Sequence, residues 1–126
     1  MQYVDGFVLP VPRRYLDTYK QVATQVAEVW KDHGALDYVE CVGDDLTLEG
    51  TRSFREAARL TGDDVVIFGW VIFPSKAVRD KANEAVPQDP RMAELVAPLT
   101  DPDNLIFDAS RMVFGGFSPL VFASRT

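Results

Sequence analysis

Few side chains in this 126-residue sequence are equipped for chemistry. His33 is its one imidazole, and an unperturbed pKa near neutrality would suit a general base or a metal ligand. It also stands at the end of a helical pattern, where the negative end of the dipole favours a structural role. Asp5 interrupts an apolar run, so it needs a partner or a raised pKa, and either can mark a working site. Arg111, placed on another strand, is its expected partner. A buried structural ion pair explains Asp5 as well as a ligand contact does. Glu40 and Tyr38 share one face of a further strand. They would line a pocket with Trp70 if the register brings them together, although exposed edge-strand polarity is the simpler account.

Other candidates are weaker. Asp44 and Asp45 resemble half a divalent-ion site, but neighbouring strand carboxylates point to opposite faces, so a turn role is favoured. Arg79 and Asp80 read as the solvated face of a helix, and Cys41, with no base beside it, as packing. Trp30 reads as core, and so does Trp70. One Cys and one His exclude an internal disulfide and a Cys/His zinc site within the chain. Gly115-Gly116 sits inside a strand pattern rather than ahead of a helix, so it is no phosphate loop. No cofactor is expected.

The formal charge is -6, which disfavours nucleic acid as a partner. Arg13, Arg14 and Lys20 form the only dense basic group. No run approaches a membrane span and no leader pattern opens the chain, so a soluble, cytoplasmic protein is the expectation.

The elements that must hold these residues follow from periodicity. Tyr3 to Leu9 predicts a strand ended by Pro10 and Pro12. From Arg13 to His33 apolar residues recur at three- and four-residue steps, which predicts a helix closed by Gly34. Leu36 to Leu46 alternates with polar residues as an edge strand would. Residues 47 to 62 form an insertion with a short helix capped by Ser53. Val65 to Phe73 is apolar on both faces, Val65, Ile67, Val71 and Phe73 against Val66, Phe68, Trp70 and Ile72, so both faces must be covered. Ser75 caps a helix to Val86, Asp89 caps a short one, and Arg111 to Phe117 is a last strand that Leu120 to Phe122 could extend.

The order of strand, helix, strand, strand, helix, strand is that of the ferredoxin-like fold, an α+β sandwich with one four-stranded antiparallel sheet. Residues 1–126 make a single domain. In this topology the first and third strands are central, and they are the two most apolar stretches. Helices cover one sheet face and leave the other bare. A two-fold homodimer with sheets face to face is the simplest cover.

The stretches Tyr3-Val4-Asp5-Gly6-Phe7-Val8, Val29-Trp30-Lys31-Asp32-His33-Gly34 and Glu40-Cys41-Val42 resemble the YbaA-like family of uncharacterised bacterial proteins. Phe68-Gly69-Trp70, Arg79-Asp80 with Asn83, Asp89-Pro90-Arg91 and Gly115-Gly116-Phe117 fit the same pattern. The resemblance spans nearly the whole chain. It departs at Gly69, where a Ser is common, and in the helical look of Arg55 to Leu60. It implies the dimeric α/β-barrel superfamily, whose members include cofactor-free monooxygenases, isomerases, heme-degrading enzymes and binding modules. It implies no reaction and no catalytic residues.

Two readings of function follow, from different classes. In the first, the chain is a cofactor-independent enzyme acting on a small molecule, monooxygenase- or isomerase-like. Its pocket lies between sheet and helices, lined by Phe7, Tyr19, Trp30, Tyr38, Trp70 and Arg111, with Asp5, His33 or Glu40 as acid or base. In the second it is a non-catalytic dimeric module that binds a metabolite or stabilises a partner. A collapsed core with Asp5 fully satisfied by Arg111 would favour the second.

Overall fold

The computed structural model describes residues 1–125. Strands β1 (Tyr3–Pro12), β2 (Asp37–Val42), β3 (Asp64–Phe73) and β4 (Val113–Phe117) form one sheet in the order β2-β3-β1-β4. All three pairings are antiparallel. The two most apolar strands are therefore the central pair, and the polar β2 is an edge, as periodicity predicts. The helices are α1 (Leu16–Asp32), α2 (Phe54–Ala57), α3 (Lys76–Ala85) and α4 (Pro90–Val96).

Local chemistry accounts for the boundaries. Ser53, Ser75 and Asp89 each accept a backbone N–H in the first turn of the helix they cap. Gly34 ends α1 with φ +111°, and a Cβ there would stand 2.6 Å from a Val78 methyl. Both the backbone angle and the close approach of α3 demand glycine.

β1 runs through Pro10 and Pro12 rather than ending before them. β4 pairs with β1 only from Val4 to Val8. Beyond Val8, β1 therefore has a ladder on one side only, and prolines are tolerated on such a segment. β4 is also shorter than expected, because Ala109–Arg111 form a 3-10 turn. Leu120 to Phe122 add no strand.

One face of the sheet carries the core. Leu9, Val11, Val65, Ile67, Val71 and Phe73 are buried beneath the helices, and Trp30 of α1 meets Phe73 edge to face at 6.3 Å. The other face is largely uncovered. Val66 is buried there, but Phe68 is 42% exposed and Trp70 half-buried. The insertion reaches this face: Phe54 of α2 lies edge-on to Phe68, which in turn packs on Trp70.

Candidate functional site

Three polar groupings and one apolar recess make up the candidate sites. The first grouping is built on Asp5, which is only 1% exposed. β1 aims it at the helix face, where Arg79 of α3 donates Nε–H to its carboxylate at 2.8 Å. Arg79 also binds Asp80 at 3.0 Å, and its guanidinium lies 5.2 Å from the centre of the Tyr3 ring. Burial pushes the Asp5 carboxyl above the usual carboxylate range, against the pull of Arg79 and of a hydrogen bond from Asn83. The Asn83 amide oxygen is buried without a partner among the described residues.

This arrangement corrects two expectations. The partner of Asp5 is Arg79, not Arg111, and Arg79 is no solvated surface residue, since its side chain is 17% exposed. Register explains both. Asp5 pairs with Gly116, five residues past Arg111, so Arg111 lies toward the other end of β1. There it binds Asp64 at 3.1 Å and the carbonyl of Arg59. The Asp64 carboxyl is held low: burial would raise it, but bonds from Thr61 and Arg111 outweigh that. Arg111 is thus a clamp between the insertion and β3, and the structure does not bring it to Asp5.

The second grouping is Glu40 with Tyr19 and Tyr38. Tyr19 of α1 donates to one carboxylate oxygen, and Tyr38 to the other at 2.7 Å. Tyr38 and Glu40, two apart on β2, share the helix face. Burial, and then the Glu40 charge, hold both phenols far above the ordinary tyrosine range, so both remain donors. Trp70 does not join them. It pairs with Val39, so its ring lies on the opposite face of the sheet, and the expected pocket shared by Tyr38, Glu40 and Trp70 does not form. The reading of Trp70 as core fails in the single chain for the same reason.

Phe7 sits beside this grouping in the core, with Tyr19. Its ring occupies space that a side chain at residue 69 would need: a Cβ on Gly69 would stand 2.3 Å from Phe7 Cζ. The glycine at this position is what lets Phe7 lie across β3.

The third grouping ties α1 to α4. His33 Nε2 and Asp89 Oδ2 are 2.8 Å apart, and Arg91 bridges Asp89 and Asp32. Hydrogen bonds from Arg91 and then His33 hold the Asp89 carboxyl well below the carboxylate range. His33, next to the end of α1, thus reaches Asp89, the residue that caps α4.

The recess lies on the open face rather than between sheet and helices. It has a volume of about 620 Å³ and is walled by Val4, Val8, Trp70, Ile72, Val113 and Phe117, among others. Phe117 fills the notch that Gly6 leaves, its ring 3.3 Å from where a Cβ would be. No group of three metal-binding side chains occurs among the described residues. No described helix is long and apolar enough to cross a membrane.

The fold and these sites define a ferredoxin-like α+β protein with a bare apolar sheet face. Residues 2–108 match the family described as "Protein of unknown function (DUF1428)". The chain is 39% identical over 121 residues to the uncharacterised protein YbaA of Escherichia coli K12, covering 96% of this chain and 98% of that one. The same figures hold for YbaA of Shigella flexneri. The chain belongs to this family.

Solved structures that share its fold include the following two. Rv0793 from Mycobacterium tuberculosis superposes with a TM-score of 0.57 at 12% identity, over 98% of this chain and all of that one. A NIPSNAP family protein with unknown function from Agrobacterium tumefaciens gives 0.58 at 15%, over 97% and 91%. At these identities they show the fold alone.

Proposed function

We propose that this protein is a homodimeric small-molecule-binding module, two copies joined through their open sheet faces. The observation that carries the dimer is the character of that face. Phe68, Trp70, Ile72, Val4, Val8 and Phe117 stand together on it, and no charged side chain rises from its middle. A chain of formal charge -6 repels its own copies elsewhere, so an uncharged apolar face is where two copies can meet. Exposure of this much contiguous apolar surface is unusual for a monomer.

Binding is favoured over catalysis because two of the three expected acid–base residues are already held by ionic partners. Asp5 is closed by Arg79 and His33 by Asp89. The second reading, a cofactor-independent enzyme, rests on Glu40, whose two partners are neutral phenols rather than a cation. Such a carboxylate keeps lone pairs for a ligand proton.

Native mass spectrometry of the purified protein tests the reading. A dimer of twice 14.1 kDa carrying extra mass that is lost on denaturation is the expected result. A folded, monodisperse monomer at nanomolar concentration would sink the dimer.

A further inference from the structure

We propose that the polar recess between the insertion and the start of β3 binds a small zwitterion of the amino-acid kind, its carboxylate held by Arg13 and Arg55 and its ammonium by Asp44 and Asp64. The inference rests on the small-molecule-binding reading and adds the ligand's chemistry and its place. This second recess has a volume of about 160 Å³, roughly half that of the smallest drug-sized pockets at about 300 Å³, so its occupant is small. Two arginines and two aspartates line it, with the half-buried Leu46 and Leu60 beside them. No ion pair joins these arginines to these aspartates. Arg13 binds Asp63 and Asp64 binds Arg111, and neither partner lines the recess.

Each charged group keeps capacity for a ligand. Arg13 gives only Nε–H to Asp63, which leaves the N–H groups of both Nη atoms. Arg55 donates only its backbone N–H, to Ser53, so its guanidinium is uncommitted among the described residues. Asp64 is the decisive group, because it is 9% exposed and yet only half engaged. Its Oδ2 accepts the bonds from Thr61 and Arg111. Its Oδ1 has no partner among the described residues and is not a sealed unpaired atom, so an incoming N–H donor can reach it. Bonds from Thr61 and Arg111 outweigh burial and hold this carboxyl low, so it meets a ligand as an anion. Asp44 has no ionic partner among the described residues either. Arg111 braces the wall, since the same Nη2 also binds the carbonyl of Arg59, the one described non-glycine residue with a positive φ, 52°. The site is thus set before a ligand arrives. A simple anion or cation would meet one attractive and one repulsive pair there, whereas a zwitterion satisfies both.

The test is an NMR titration of the isotope-labelled full chain with L-alanine and L-leucine. Propionate and ethylamine serve as the counterparts of alanine that lack its amine or its carboxylate. An amino acid should give saturable shifts at Gly43 to Thr47, Arg55 and Asp64 to Val66, and both counterparts should bind at least tenfold more weakly. Arg55→Gln and Asp44→Asn remove side chains that hold nothing else in the chain, so both variants should fold as the parent does. Each should weaken the amino acid roughly tenfold, the worth of one hydrogen bond to a charged group. Arg14→Gln, outside the recess, should leave it unchanged. Absence of saturable shifts with both amino acids, a counterpart held as tightly as alanine, binding unchanged in Arg55→Gln and Asp44→Asn, or an equal loss in Arg14→Gln would each overturn the proposal. A molecule without opposite charges found on the native dimer, with neither amino acid shifting these residues, would uphold the binding reading and overturn this inference alone.

Discussion

The two faces of the sheet solve opposite problems with the same strands. On the helix face β1 and β3 bury Leu9, Val11, Ile67 and Phe73, and the polar groups among them are paired within the chain: Asp5 with Arg79, Glu40 with two tyrosines. On the open face the alternate residues of those strands are equally apolar, yet Phe68 and Phe117 remain 42% and 60% exposed. Apart from the Asn83 amide oxygen, the first face finds its partners within one copy of the chain. The second has packing side chains with nothing to pack against, because a strand's alternation serves both faces at once while α1 and α3 cover only one. Burial of polar groups needs an exact partner, whereas apolar surface needs only cover. That difference makes the helix face sensitive to single atoms, and it makes the open face the place where the proposed dimer can be tested.

Substitutions on each side sharpen the contrast. The largest effect belongs to Arg79→Ala, which strands Asp5 in the interior and should cost about 3–5 kcal/mol by chemical denaturation. That cost should shrink in acid. Asp5 already has a raised carboxyl pKa, so the unpaired group takes up a proton as pH falls and the buried charge disappears. A loss that stays constant from neutral to acidic pH would show that the pair is not a buried charge problem.

Trp70→Glu, on the open face, should leave the unfolding of the single chain nearly unchanged but dissociate the proposed dimer, read by sedimentation of parent and variant across a dilution series. The comparison fails if this variant stays dimeric, since a charge pressed into an apolar interface carries a desolvation cost of several kcal/mol.

Gly69→Ser should cost roughly 1–3 kcal/mol, the price of overpacking a filled core, because Phe7 Cζ stands 2.3 Å from the new Cβ. A fully stable variant with Phe7 turned aside in its crystal structure would reveal room on the helix side that Phe7 now fills.

The smallest effect is a slope. The folded-state pKa of Asp89 is depressed, so its contribution is present above the unfolded value and lost as pH falls through the folded one. Asp89→Asn should therefore flatten the acid limb of the stability curve below about pH 4, where an ordinary Asp titrates. An unchanged limb would mean that the His33–Asp89–Arg91 cluster does not hold α1 to α4.

Much of this molecule was legible in residue order. The step of three and four in α1, the Ser53, Ser75 and Asp89 caps, Gly34, and the double-sided apolar run of β3 are local signals, and a chain of six such elements has few ways to pack. Those signals determined the ferredoxin-like fold, the central pair and the bare face. Partnerships across the chain were not legible. Asp5 and Arg79 are separated by 74 residues, and which arginine reaches a carboxylate depends on where α3 crosses the sheet, not on any local pattern. Trp70 parted from Tyr38 and Glu40 because a shift of one residue in register moves a side chain to the other face. The recess that gathers Arg13, Asp44, Arg55 and Asp64 was hidden too: each position is ordinary in its own element. Periodicity decides what kind of surface an element presents, and only tertiary register decides which atoms meet on it.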